Sequence, residues 1–148
     1  MKILPIVLSV VFLSLGIIHF HWALGGTFGF ANALPTKANG ERVLNPKKTD
    51  SAIVALGLTA FALFYIFQSG LIHLNRAEWI FKYGGWIIPL IFLLRAIGEF
   101  KYVGFFKSIT ETEFGKLDTR FYSPLCLTIG IIGLIIQLNL TKTLSKTL

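Results

Sequence analysis

The chain has 148 residues, of which 54% are hydrophobic and only 14% are charged, and its mean hydropathy is +0.71. This composition excludes an ordinary soluble domain and favours a protein whose solvent is lipid. The net charge of +7 would suggest nucleic-acid binding in a soluble protein, but here the basic residues lie between hydrophobic segments, where they face lipid phosphates and set topology.

Four stretches without Asp, Glu, Lys or Arg divide the chain, at residues 3–36, 51–75, 83–94 and 121–141. A membrane-spanning helix needs roughly 20 mainly apolar residues, and the short third stretch reaches that length once its polar flanks are included. We predict transmembrane helices at 3–24, 51–71, 79–100 and 123–140, in one integral membrane domain over residues 1–148. The predicted fold class is an all-α, four-span transmembrane helical bundle with a third helix kinked at Pro89 and a short amphipathic helix in loop 3.

The first predicted helix ends in the sequence IIHFHWALGG, at residues 17–26. His19 and His21 lie about 200° apart around a straight helix, so they do not chelate one metal ion together. His19 shares its face with Trp22 and with small residues that permit close helix contact, so it is expected to point into the bundle and His21 outward. A structural histidine, a proton-handling or ligand-contacting residue, and a metal or haem ligand all stay open for His19.

Arg95 and Glu99 are the most informative pair in the third predicted helix. Four residues apart, their side chains share a helical face and can form an ion pair, and Tyr102 continues that face. An ionisable residue inside a span is costly, which makes it a functional-site hypothesis by default. We expect Arg95 and Glu99 to meet His19 inside the bundle. The alternative is that Arg95 extends to lipid phosphates and Glu99 only neutralises it.

Loop 3 and the start of the fourth helix contain several polar residues. Residues 110–113 read Thr-Glu-Thr-Glu, the spacing of a helix cap, which predicts a short amphipathic helix on the membrane surface. Asp118, Arg120 and Tyr122 then lead into the fourth helix. Asp118 and Arg120 either form a solvated entry, or Arg120 reaches Glu99.

Helix parity assigns these polar residues to one membrane face. The end of helix 1, the start of helix 2, the end of helix 3 and the start of helix 4 lie on the same side of a four-span bundle. Loops 1 and 3 on that side hold eight Lys and Arg residues, against five on the other side. The positive-inside tendency therefore favours loops 1 and 3 in the cytoplasm and both termini outside.

Three motifs carry a resemblance to a known family: HFHWALGG after helix 1, RAIGEFKYVGFFK after helix 3 and LDTRFYSPLC entering helix 4. Together they resemble an uncharacterised family of small bacterial integral-membrane proteins, defined only as a domain of unknown function. The resemblance covers nearly the whole chain. It implies a four-helix protein of the bacterial cell membrane and supplies no reaction.

The leading functional hypothesis is a protein that binds a small amphipathic or lipid-like ligand in a polar cavity at the loop 1/loop 3 face. His19 and Glu99 are the candidates for proton transfer, which leaves open whether the protein is an enzyme. The candidate ligand-binding residues are Arg95, Trp22, Tyr102, Asp118, Arg120 and Tyr122. The alternative is a non-enzymatic accessory or transport subunit that meets a partner membrane protein or a second copy.

Cofactors are unknown from the sequence, because it carries no metal or nucleotide motif. The only cysteine, Cys126, excludes an internal disulfide, and within a span it is an apolar filler more often than a nucleophile. The partners predicted are membrane lipid and an amphipathic small molecule, and not nucleic acid.

Overall fold

The computed structural model of the protein describes residues 2–72 and 78–144, and these form an all-α bundle. The helices are α1 (Ile3–Ala23), α2 (Lys48–Gln68), α3 (Glu78–Ile97), α4 (Glu113–Leu117) and α5 (Ser123–Leu144). A 3-10 turn at Ala31–Ala33 interrupts loop 1, and a π-helical turn at Asp118–Tyr122 joins α4 to α5.

Four helical segments are long and apolar enough to cross a membrane: α1, α2, α3 and the continuous stretch Glu113–Thr143. The predicted four-span fold class is therefore confirmed. The ends of the predicted spans differ from the ends of α1, α2, α3 and α5 by at most four residues. The difference that matters most for the candidate site is at the end of α3, which stops at Ile97 instead of residue 100.

The bundle consists of two closely packed helix pairs, α1 with α2 and α3 with α5. Phe12 of α1 lies at the centre of the core, stacked on Tyr65 at 5.7 Å between ring centroids and edge-on to Phe92 at 5.1 Å. These rings join the two pairs, because Tyr65 belongs to α2 and Phe92 to α3.

Small residues allow α3 and α5 to approach closely. A Cβ atom at Gly133 would lie 2.5 Å from Cγ of Pro89, and one at Gly130 would lie 2.5 Å from Cγ of Leu93. Pro89 lies inside α3 without interrupting it, and a kink there stays a prediction.

The predicted amphipathic helix of loop 3 is present as α4, but it is not separate from the last span. Thr112 caps it by accepting a 3.0 Å hydrogen bond from the amide of Gly115. Phe114 is buried while Glu113 and Lys116 are exposed, which gives the helix two faces. The π-helical turn then carries the chain directly into α5.

The candidate site at the end of the α3–α5 pair

A buried ion cluster joins the end of α3 to the start of α5 through the carboxylate of Asp118. One oxygen accepts a 2.7 Å bond from Nη2 of Arg95. The other accepts bonds from the Gly104 amide at 2.8 Å and the Ser123 hydroxyl at 3.1 Å, and it lies 3.1 Å from Nζ of Lys107. The side chains of Asp118 and Lys107 are completely buried, whereas the Arg95 side chain is 31% exposed.

Two glycines in loop 3 bring these residues together. The backbone takes positive φ at Gly98 (+90°) and Gly104 (+91°), a region that L side chains rarely adopt. The chain therefore turns back on the end of α3, where the amide of Phe105 donates a 2.8 Å bond to the carbonyl of Ala96. This return places the Gly104 amide and Lys107 against Asp118.

The π-helical turn fixes the other side of the cluster. A π-helix contains one more residue per turn than an α-helix, and such turns are frequent at functional sites. Here the turn begins at Asp118 itself, and the buried hydroxyl of Ser123, the first residue of α5, donates to that carboxylate. Nζ of Lys107 also donates to Thr119 at 2.5 Å and to the Gly104 carbonyl at 3.0 Å, which fills its donors.

Arg95 is the member of the cluster that has a hydrogen-bond donor without a partner in the described part of the chain. Its side chain is 31% exposed, and its Nη1 atom is buried with no hydrogen-bond partner among the residues that the structure describes. The cluster also holds two cations, Arg95 and Lys107, for the single carboxylate of Asp118. It therefore has one surplus positive charge and one unused buried donor.

The ion pair that the sequence allows between Arg95 and Glu99 is not formed in the structure, where each side chain has other partners. The positive φ of Gly98 ends the helix before Glu99, so the two residues do not share a helical face. The Glu99 carboxylate instead accepts bonds from the backbone amides of Tyr102 and Val103. The partner of Arg95 is Asp118, 23 residues further along the chain.

His19 and Trp22 lie at a second place, a cleft between α1 and α2 of about 120 Å³. Nδ1 of His19 is 2.9 Å from the Leu15 carbonyl, and the ring meets that of Trp22 edge-on at 4.6 Å. The Trp22 indole donates a 2.7 Å bond to the Phe28 carbonyl. Arg95 does not line this cleft, so the structure places these candidates in two sites instead of one.

The remaining candidates lie around the loops. The Tyr122 hydroxyl donates a 3.4 Å bond to the Asn32 carbonyl, which ties loop 1 to the start of the last span. Arg120 lies over the ring of Phe121 at 5.5 Å, and the Tyr102 ring packs under the amine of Lys101 at 5.2 Å. His21 is exposed and its ring covers Gly26.

A wider cleft of about 520 Å³ opens between loops 1 and 3, at the face where a polar cavity was predicted. Its lining comes from residues 36–38, 40 and 108–113, and none of the candidate site residues belongs to it. Within residues 2–72 and 78–144 there is no group of three or more His, Cys, Asp or Glu side chains placed to hold a metal ion.

The sequence reasoning missed Lys107, Gly104 and Ser123 in the ion cluster. Lys107 ends the GFFK part of the loop 3 motif, and Ser123 lies in the YSPLC part of the last motif, so both were in view without an assigned role. The available signal for a cluster was that two basic residues, Arg95 and Lys107, begin and end the motif that precedes Asp118 in the chain.

A family model described as "Protein of unknown function (DUF3995)" matches residues 12–133. That range contains the ion cluster, the α1–α2 cleft and all three sequence motifs. No curated protein and no solved structure matches the chain.

Proposed function

This chain belongs to the DUF3995 family of proteins of unknown function, and for this integral membrane protein we propose, from the site itself, that it binds an amphipathic ligand whose anionic or carbonyl group pairs with Arg95. The observation that carries the proposal is the buried, unpartnered Nη1 atom of Arg95. A buried donor without a partner costs about 1–3 kcal/mol, and more when it is charged, so an acceptor placed there lowers the free energy of the protein.

The charge of the cluster favours an anion over a neutral acceptor. Arg95 and Lys107 bring two positive charges, and Asp118 brings one negative charge. Lys107 is fully buried and its donors are occupied, so Arg95 is the member that can meet a ligand. A carboxylate or phosphate diester group at Nη1 would balance the surplus charge and form a charge-assisted hydrogen bond.

The surroundings of Arg95 favour a ligand with a hydrocarbon part. Arg95 lies two residues before the end of α3, and side chains at the end of a membrane-spanning helix are within reach of lipid headgroups. The neighbouring side chains on the lipid-exposed surface are apolar: Leu94 is 66% exposed and Ile91 is 46% exposed. A lipid or fatty acid can therefore place its polar group at Arg95 and its chain along α3.

Turnover of the ligand stays a prediction. Glu99 accepts two loop amides, and His19 lies in the α1–α2 cleft, so no contact of either side chain supports proton transfer at Arg95. The proposal is therefore one of binding.

The test is the exchange of Arg95 for lysine. Arg95→Lys keeps the positive charge beside Asp118 but removes the planar second donor, Nη1. We expect native mass spectrometry of the protein purified with phosphatidylglycerol to show bound lipid on the unchanged chain and loss of most of it from the variant. Lys101→Gln, which removes an exposed charge outside the cluster, is the matched control and should retain the lipid.

Equal lipid binding by the unchanged chain and Arg95→Lys would contradict the proposal. The alternative, an accessory or transport subunit, predicts that a partner helix supplies the acceptor instead. In that case a stoichiometric polypeptide, and not a lipid, should purify with the chain and be lost in Arg95→Lys.

A further inference from the structure

We propose that the α1–α2 cleft binds a primary ammonium group, held by His19, Asp50 and Ser51 between aromatic walls. This site is separate from the one proposed at Arg95 and does not depend on it. The cleft has a volume of about 120 Å³ and is lined by His19, Trp22, Phe30, Pro46, Asp50, Ser51 and Val54.

The His19 ring offers an acceptor to the cleft. Its Nδ1 atom is 2.9 Å from the carbonyl oxygen of Leu15. A carbonyl oxygen only accepts, so Nδ1 carries the proton of the neutral ring and Nε2 holds a lone pair. The contact through Nδ1 leaves Nε2 available to a ligand in the cleft that His19 lines.

Ser51 supplies the second polar group. The residue is only 6% exposed, lines the cleft, and makes no hydrogen bond through its hydroxyl with any described residue. The Ser51 hydroxyl lines the cleft and can accept a hydrogen bond from a ligand there.

Asp50 supplies the charge. One of its carboxylate oxygens accepts a 2.8 Å bond from the amide of Lys47 at the start of α2, which leaves the other oxygen available. His19 Nε2, the Ser51 hydroxyl and this oxygen are all able to accept a hydrogen bond, and the ring faces of Trp22 and Phe30 attract cations. Such a lining selects a donor-rich cation, and a primary ammonium group has three donors.

The size and the surroundings of the cleft restrict the ligand further. A cleft of about 120 Å³ has room for a small polar group such as an aminoethyl group. Two cations lie near the lining residues without lining the cleft themselves: the Arg42 guanidinium is 5.9 Å from the Phe30 ring, and Nζ of Lys48 lies above Gly25 at the end of α1. They would meet a phosphate linked to the ammonium group, as in an ethanolamine headgroup.

The native tryptophan gives a direct readout. Trp79→Phe and Trp86→Phe together leave Trp22, in the cleft wall, as the only tryptophan of three. We expect its emission to change saturably in nanodiscs when phosphatidylethanolamine replaces phosphatidylcholine, since a choline headgroup cannot donate hydrogen bonds. Titration with free ethanolamine separates the two sources of the group: a response to both ligands indicates a site for soluble amines as well, and a response to the lipid alone indicates a headgroup site.

Asp50→Asn tests the assigned charge. Asparagine still accepts from the Lys47 amide, so the start of α2 is retained, but the pairing charge is lost and the apparent affinity should fall at least about tenfold. Glu111→Gln, an exposed carboxylate outside the cleft, is the matched control and should bind as the unchanged chain does. The proposal is overturned if neither ethanolamine compound changes Trp22 emission, or if Asp50→Asn binds with unchanged affinity.

Discussion

At the residue scale, Asp118 is the anion on which the ion cluster depends. It lies between two cations, Arg95 and Lys107, and both of its oxygens are occupied. Breaking a buried ion pair by removing one partner typically costs about 3–5 kcal/mol, because the remaining charge is left without compensation. The role of Asp118 is therefore first structural: it holds Arg95 in the position from which Nη1 can meet a ligand.

We predict that Asp118→Asn destabilises the protein by about 3 kcal/mol or more, because the buried Lys107 and the partly buried Arg95 then have no negative partner. For a chain of this size, the melting temperature should fall by roughly 6–12 °C. Thermal unfolding in detergent, followed by size-exclusion chromatography after heating, measures the effect. Glu113→Gln is the control, since the Glu113 side chain is 81% exposed, and should change stability by less than about 0.5 kcal/mol. A melting temperature unchanged by Asp118→Asn would contradict the assigned role.

At the element scale, the segment between α3 and α4 decides where the cluster forms. Gly98 and Gly104 pack backbone against backbone: a Cβ atom at Gly98 would lie 1.8 Å from the Val103 carbonyl oxygen, and one at Gly104 would lie 2.3 Å from that of Ile97. Neither contact can be relieved by moving a flexible side chain. The return of the chain over the end of α3 therefore requires glycine at both positions.

We predict that Gly104→Ala destabilises the protein well beyond the cost of backbone strain alone. Gly40→Ala is the control, because Gly40 also has a positive φ (+84°) but has nothing within 4 Å of its Cβ position. The control should lose about 1 kcal/mol, the ordinary cost of a left-handed residue with a side chain. The alanine at position 104 should lose at least twice as much, and should also reduce lipid binding at Arg95 because the Gly104 amide holds Asp118. Equal losses in the two variants would mean that the close approach is unimportant.

The segment between α3 and α4 shows which parts of the structure could be predicted from the sequence and which could not. Hydropathy and length predicted the four spans, since burial in lipid imposes one simple requirement on each helix. Arg95 stands out in the sequence as a costly polar residue, but its partner could not be predicted, because the i, i+4 rule assumes that the helix continues. The helix ends at Gly98, and the partner depends on a loop conformation that hydropathy does not encode. The α1–α2 cleft was missed for a similar reason, since its lining by Phe30 and Pro46 depends on the conformation of loop 1.

At the scale of the whole molecule, both proposed sites lie where loops 1 and 3 leave the bundle. The ion cluster lies at the end of α3, and the cleft lies at the end of α1 and the start of α2. Tyr122 links the two regions through its bond to Asn32 of loop 1. The opposite end holds a different polar contact, in which buried Gln137 of α5 meets Gln68 of α2 and the Lys82 carbonyl of α3. The two ends of the bundle are thus chemically distinct.

The orientation of these ends in the membrane is the last prediction. Eight Lys and Arg residues lie in loops 1 and 3, against five on the other side, of which Arg76 and Lys146 lie outside the described residues. We therefore predict that loops 1 and 3 face the cytoplasm. In a Cys126→Ser background, a membrane-impermeant maleimide applied to intact bacterial cells should label Lys2→Cys directly, and should label Lys37→Cys only after lysis. The reverse pattern would place both proposed sites outside. Labelling of both cysteines in intact cells would show a dual orientation, and it would mean that a difference of three charges does not fix the topology of this chain.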